Sequence, residues 1–330
     1  MISAFGLWAL ACSDAPLEPE ARRGGAAEKD GDMTGFSPVE AGVADTADFA
    51  VEADAPTPAD PPAARDASVP TAAPDAAPPT APPTAPPSLR ASPGAQDTWQ
   101  IQYAGALDLE LDVQVFNLDL ADTPEAAIAA LRARGTYVLC YFSAGSFEEW
   151  REDADQFPPA ALGEPLDDWP GERWLDVRDP GLRPIMEARL DRAVEKGCDG
   201  VDPDNVDGFA NDTGFDYGSD AQLAYNRFLA GAAHARGLTI GLKNDLDQAE
   251  ALVSDFDWAV NEECFAYDEC EVYTETFVAQ GKPVFQIEYV DADEAETLCP
   301  QSNALGLNTL IKRLELDAER VACRPNAAPR

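Results

Sequence analysis

The chain has a single histidine, His234, and no Cys-x-x-Cys pair, so the usual donor sets of a zinc centre are missing. No G-x-G-x-x-G turn follows the first strand-like run and no phosphate-binding P-loop occurs, which leaves nucleotide cofactors without support. G-x-S-x-G is absent as well, and His234 falls inside a helical pattern, which argues against a Ser–His–Asp triad. After the first dozen residues no apolar run is long enough to span a membrane. Basic residues are scarce: 23 Lys and Arg stand against 61 Asp and Glu, a formal charge of -38. Such a surface repels nucleic acid and anionic lipid and attracts cations or a polycation. Solubility or a salty habitat accounts for acidity alone equally well.

What is present divides unevenly. Residues 13–96 are Pro, Ala, Thr, Asp and Glu, with Phe36 and Phe49 as their only aromatics. The tract AAPDAAPPTAPPTAPP (72–87) has too little apolar surface to offset the cost of ordering, so 13–96 is expected to be a disordered, semi-rigid spacer. It holds 14 acidic and 5 basic side chains, or -9, which leaves -29 for the remainder. Residues 97–330 are enough for one barrel-sized domain. Ahead of the spacer, MISAFGLWALAC (1–12) resembles the tail of a bacterial lipoprotein signal, with Cys12 as the acylated residue. It lacks a basic start, which would place Met1 inside the signal. The location expected is extracytoplasmic, secreted or lipid-anchored to the cell envelope.

Seven cysteines leave six once Cys12 is set aside. Cys264 and Cys270 bracket a short loop, and Cys299 and Cys323 bracket the last helix. In an exported protein both pairs read as disulfides. Cys140 and Cys198 lie in or beside strands and read as buried thiols or a third bridge.

The folded part is organised around KGCDGVDPDNVDGFAN (196–211), which sets Asp199, Asp202, Asp204 and Asp207 within nine residues. Read as a strand over 198–203, period-two alternation puts Gly200, Asp202 and Asp204 on one face. Carboxylates turned inward are costly unless paired or used. A calcium loop is the competing reading, but Asp207-Gly208 come one residue late for it.

Eight strand-like runs are expected, at 99–103, 112–118, 136–142, 174–177, 198–203, 238–243, 258–262 and 283–289. Helical patterns separate most of them, at 123–134, 182–196, 220–236, 246–254 and 272–280. This alternation predicts an α/β fold, a (β/α)8 TIM-type barrel, with a doubly wound open sheet as the other candidate. Polar groups collect at the carboxyl ends of the runs, where such a barrel keeps its site. The candidates are Asp119, Tyr141, Asp176, Asp202, Asp204, Asn205, Lys243, Asn244, Glu262 and Glu288. Taken singly, each is as readily a loop carboxylate, a helix cap or a salt bridge. Together, carboxylates, one lysine, amides and aromatics are the set that glycoside hydrolysis requires.

Five strings then occur in a recognisable order: WPGERWLD (169–176), GVDPDNVDG (200–208), AYNRFLA with AHARGL, GLKND (241–245) and VNEECFAYDEC (260–270). They resemble glycoside hydrolase family 114, the endo-α-1,4-polygalactosaminidase group, over about residues 99–291. The resemblance implies a barrel and hydrolysis of α-1,4-linked galactosamine polymer, which is cationic where deacetylated. No cofactor or metal is implied. Its Asp-Asn motif falls on Asp204 and its Asn-Glu-x-Cys motif on Glu262, which implies Asp204 as nucleophile and Glu262 as acid/base, or the reverse. Asp202, where the motif commonly has Glu, is expected to tune Asp204 or hold a sugar. Lys243 and Asn244 are expected to fix hydroxyls or the carboxylate geometry. The competing readings are a non-catalytic carbohydrate-binding barrel at the cell surface and a calcium-dependent adhesin.

Overall fold

A computed structural model of the chain describes residues 91–167 and 169–324. Cys12 and the spacer as far as residue 90 lie outside the described residues.

Strands β1 (Trp99–Gln102), β2 (Val115–Asp119) and β3 (Tyr137–Ser143) pair in parallel, with α1 (Glu125–Ala133) crossing between the last two. The helix lays Ala127, Ile128 and Leu131 on the sheet, the i, i+1, i+4 stripe of an amphipathic helix. An insertion follows: β4 (Ser146–Glu148), β5 (Leu162–Pro165) and β6 (Glu172–Leu175) form a separate antiparallel sheet in the order β4-β6-β5. The chain then re-enters the barrel through α2 (Leu182–Lys196) and β7 (Gly200–Asp204), which pairs with β3. Helix α3 (Ser219–Ala235), β8 (Thr239–Lys243), α4 (Ala249–Leu252), β9 (Trp258–Glu262), α5 (Glu271–Glu275), β10 (Val284–Glu288), α6 (Ala295–Leu305) and β11 (Asn308–Ile311) continue the alternation. A short β12 (Val321–Ala322) adds antiparallel to β11.

The eight parallel strands β1, β2, β3, β7, β8, β9, β10 and β11 make a curled TIM-type barrel sheet. Trp99 Nε1 donates to the Asn308 carbonyl at 3.0 Å and the Tyr103 N–H to the Leu316 carbonyl at 2.9 Å, so β1 meets the β11 side of the sheet. Two of the expected strands change. Residues 174–177 are not a barrel strand, because Trp174 pairs antiparallel with Ser146 inside the insertion. The eighth barrel strand is β11, in the region read as the last helix. That helix is Ala295–Leu305, which contains Cys299 rather than following it.

Both faces of the barrel strands are buried, as parallel strands under helices require. Trp99, Ile101, Val115, Leu139, Trp258, Val260, Phe285 and Ile287 fill the interior. Phe116, Val138, Val201, Ile240 and Leu242 face the helices. Gly241 makes room for this packing, since a Cβ there would stand 2.1 Å from the Trp258 ring. The apolar filling occupies the lower layers and leaves the carboxyl ends of the strands to polar groups. Disulfides join Cys140 to Cys198, Cys264 to Cys270 and Cys299 to Cys323. The first ties β3 to the turn that enters β7.

Candidate active site

Three neighbouring strands end on charged residues that face one another. Asp204 closes β7, Lys243 closes β8 and Glu262 closes β9. Lys243 Nζ lies 3.0 Å from Asp204 Oδ1 and 3.1 Å from Glu262 Oε2, so one ammonium bridges two carboxylates. The residue after each of the three has a left-handed backbone: Asn205 at φ 60°, Asn244 at φ 48° and Glu263 at φ 62°. Asparagine adopts this conformation readily, whereas glutamate does so at a cost. The repeated turn sends the chain away from the mouth immediately after each charge, and such strain gathers at working sites.

The neighbours hold these groups in place. The Asn205 N–H donates to Asp204 Oδ1 at 2.8 Å, and Asn205 Nδ2 donates to the Ser143 and Ser146 hydroxyls at 3.0 and 3.1 Å. Gly145 permits that approach, since a Cβ there would lie 1.6 Å from the Asn205 carbonyl oxygen. Asn244 Oδ1 accepts the Glu262 N–H at 3.0 Å, and the Tyr289 hydroxyl donates to Glu262 Oε1. Below them, Asp202 Oδ2 accepts from Asn117 Nδ2 at 2.7 Å and from the Tyr103 hydroxyl at 3.4 Å. The Tyr141 ring packs on Tyr103 with centroids 4.5 Å apart.

Burial and charge work against each other here. Burial disfavours the Lys243 ammonium, but Asp204, Glu262 and Asp202 outweigh it and hold its pKa well above the usual lysine value. Burial pushes the Asp202 carboxyl up to about 6 in spite of Lys243. Burial also raises Asp207 to about 6, with the Asp204 charge adding to it. Glu172 of β6 rises to about 7, from burial first and then from the charges of Glu148 and Asp204, against the Ser146 hydrogen bond.

These groups line a cleft of about 960 Å³ between the barrel mouth and the insertion. Among the described residues it carries nine carboxylates and a single basic side chain, Lys243. Trp169 and Trp174 supply aromatic faces from the insertion. Among the described residues, no set of three His, Cys, Asp or Glu side chains is arranged to hold a metal ion.

Of the expected site residues, the fold brings Asp204, Glu262, Asn205, Lys243, Asn244 and Tyr141 to the cleft, with Asp202 beneath it. Three go elsewhere. Asp119 ion-pairs with Arg151 at 2.8 Å and so belongs to the contact between β2 and the insertion. Asp176 lies in the turn before α2 and pairs with Arg178 at 2.8 Å, since its segment is not a barrel strand. Glu288 follows the inward Ile287 and therefore points outward, accepting the Phe265 N–H at 2.9 Å. Its neighbour Tyr289 is the residue that reaches the site.

Glu172, Asn117 and Tyr289 were not among the candidates. Alternation within 283–289 offered both Glu288 and Tyr289 at one strand end, and charge drew attention to the wrong one. Glu172 stood in the WPGERWLD string, but its wall of the cleft is a sheet that strand periodicity in the barrel does not predict.

Known proteins resemble the chain over most of its described length. The description of glycoside-hydrolase family GH114 matches residues 79–328. The chain is 41% identical to Ega3 of Aspergillus fumigatus, solved in complex with galactosamine, with a TM-score of 0.68 over 72% of this chain and 99% of that one. The glycoside hydrolase domain of PelA from Pseudomonas aeruginosa shares the fold at 19% identity, with a TM-score of 0.56 over 68% of this chain and 98% of that one. An uncharacterized protein of Deinococcus radiodurans is 27% identical over 227 residues, 62% of this chain and 73% of that protein. The family pattern matched over residues 79–328, with 41% identity to Ega3, makes this chain a member of glycoside-hydrolase family GH114 and a glycoside hydrolase.

Proposed function

We propose that the protein is an endo-glycosidase that cuts α-1,4-linked, galactosamine-containing polysaccharide with Asp204 and Glu262 as its carboxyl pair. The observation that carries this reading is the shared Lys243 ammonium, which holds the two carboxylates face to face at the mouth of the cleft. The similarity to a protein solved with galactosamine supports the sugar class. The nine carboxylates of the cleft suit a polymer that carries ammonium groups.

Asp204 is the nucleophile in this mechanism. Its Oδ1 takes the hydrogen bonds of Asn205 and Lys243, which orients Oδ2 toward the anomeric carbon. Glu262 protonates the leaving glycosidic oxygen and then deprotonates the incoming water. Both carboxylates touch one nitrogen, so their nearest oxygens lie within about 6 Å, short of the ~6.5–9.5 Å that inverting enzymes use to admit a water. This spacing favours retention of anomeric configuration. Tyr289, whose phenol is held protonated by burial and by the Glu262 charge, steadies the acid/base. An open cleft rather than a closed pocket suits cleavage within a chain.

Three disulfides suit an extracytoplasmic enzyme. In the full proposal Cys12 anchors the chain, residues 13–96 form the tether and 97–330 the hydrolase domain. The test is product release from partially deacetylated α-1,4-galactosamine polymer by wild type, Asp204→Asn and Glu262→Gln. Oligosaccharides from wild type, with a loss of at least about 10³-fold in each folded variant, support the reading. Binding without cleavage by the wild type would make it a carbohydrate-binding barrel instead.

A further inference from the structure

Two of the strings that set the sequence apart supply a residue that the proposed mechanism does not use: Asn226 in AYNRFLA and Asp245 in GLKND. Both are buried behind the barrel wall. Asn226 Nδ2 donates to the Val206 carbonyl at 2.9 Å and to Asp245 Oδ2 at 2.8 Å. One amide of α3 thus joins the turn that follows Asp204 and Asn205 to the turn that follows Lys243 and Asn244. The second turn is strained, because Asn244 at φ 48° and Asp245 at φ 46° are consecutive left-handed residues. Such a turn persists only where its surroundings hold it. It bears on the site because Lys243 bridges the carboxyl pair and Asn244 Oδ1 accepts the Glu262 N–H at 3.0 Å.

The packing around Asp245 is short of donors. Both hydrogens of the Asn226 amide are used, Gln222 Nε2 donates to Asn226 Oδ1 at 2.9 Å, and Gln248 Nε2 donates to Ser219. Asp245 Oδ1, Gln222 Oε1 and Gln248 Oε1 remain, buried acceptors with no donor among the described residues. The titratable groups that face Asp245 are Asp207 from the β7 turn, Asp247 from its own turn and Tyr273 from α5, and none of them is a cation. A carboxylate there is a buried charge without a counter-ion, whereas a carboxylic acid brings the missing donor.

We infer that Asp245 is a positioning residue for the glycosidase reaction: carrying a proton, it locks the turn after Lys243 to the turn after Asp204 through Asn226. This rests on the function proposed above. Loss of the proton puts a second negative charge near Asp207 and leaves the strained turn without its support, so Lys243 and Asn244 leave their places beside the carboxyl pair. Burial, and then the Asp207 charge, keep the proton on up to about pH 8.

Steady-state kinetics on partially deacetylated α-1,4-galactosamine polymer, from pH 6 to pH 9, compare the full chain with Asp245→Asn and Asp245→Ala. Asparagine keeps an oxygen to face Asn226, puts an N–H in place of the acid O–H and does not titrate. Titration of the substrate amines and of the other carboxyls is common to all the proteins, so the ratio of their kcat values isolates Asp245. The ratio of Asp245→Asn to wild type is expected to rise about tenfold between pH 6 and pH 9, since only about a tenth of the wild type keeps the proton one unit above pH 8. Asp245→Ala should lose about tenfold or more in kcat across the range, with KM little changed. Infrared spectra without substrate should show a protonated-carboxyl stretch in wild type at pH 7 that is lost by pH 9 and missing from Asp245→Asn. A wild type with no such band overturns the inference whether or not the variants fold. Cleavage of the polymer with a flat kcat ratio sinks the inference and leaves the proposed function standing. No cleavage by wild type at any pH sinks both.

Discussion

The two walls of the cleft hold their carboxylates in different ways. On the barrel wall, Asp204 and Glu262 share the Lys243 ammonium, and each is fixed further by a hydrogen bond from the next strand end or from its own turn. On the insertion wall, Glu172 has one serine hydroxyl and no cation among the described residues. The barrel wall is built from parallel strands whose positions are set by a buried core, and the insertion wall is a small antiparallel sheet laid over the mouth. Under the proposed function, the carboxyl pair that must be held closely for bond breaking sits on the rigid sheet, and the acid without an ion-pair partner sits on the part added to it.

The largest effect is expected from breaking the compensated wall at its centre. Lys243→Met leaves Asp202, Asp204 and Glu262 around an apolar tip. Asp204 and Glu262 then lose the bridge between them and the burial of Asp202 goes unopposed, so kcat should fall about 10²–10³-fold in steady-state kinetics. A loss below about tenfold would show that the pair does not need the bridge. Tyr289→Phe removes only the phenol bond to Glu262, and a drop of about tenfold in kcat with KM little changed is expected from steady-state kinetics.

A third change asks what an uncompensated carboxyl does when it does not face the cleft. Asp245, behind the barrel wall at 3% exposure, accepts from Asn226 at 2.8 Å, and its Oδ1 has no partner among the described residues. Burial, and then the Asp207 charge, raise it to about 8 from 3.8. Between these two values the folded chain binds more protons than the unfolded one, so this residue makes stability fall as pH rises. Asp245→Asn should remove that slope and raise Tm by about 3–10 °C at pH 8 relative to wild type, with no gain at pH 4. Thermal melts across pH check this. The smallest effect is expected at Asp176, whose surface pair with Arg178 stays outside both walls. Asp176→Asn should change kcat/KM less than about twofold, and a larger loss would extend the site beyond the cleft.

Much of the barrel wall was readable before any coordinates. Period-two alternation set Asp202 and Asp204 on one face of a strand; β8 and β9 end where the residue patterns stop, and β7 runs one residue further, to Asp204. Helix α2 matches its predicted span to the residue, because Leu182, Ile185, Met186, Leu190 and Ala193 recur at helical spacing and Gly197, in a left-handed conformation, stops it. The insertion was not readable in the same way. Trp174 and Leu175 look like the start of a buried strand, but whether such a strand joins the barrel or pairs locally depends on which partner edge is free. That edge, β4, is only three residues long. Strand β11 is four residues and was hidden between a helix and a cysteine-linked tail.

Asp119 and Glu288 show the same limit at the level of single residues. Each lies at a strand end, as the site residues do, and sequence marks that place well. What a side chain meets there is set by curvature and by the segments folded over the mouth, so Asp119 found Arg151 and Glu288 found the backbone after β9. The sequence by itself determined the alternating α/β plan, the acidic character and the strand ends that carry Asp204, Lys243 and Glu262, because these follow from local periodicity and composition. Only the tertiary structure decided that one lysine bridges the two carboxylates and that Glu172 lines the same cleft with no ion-pair partner among the described residues. Ion pairs form between residues distant in sequence, and their partners exist only once the sheet has curled and the insertion has closed one side of the cleft.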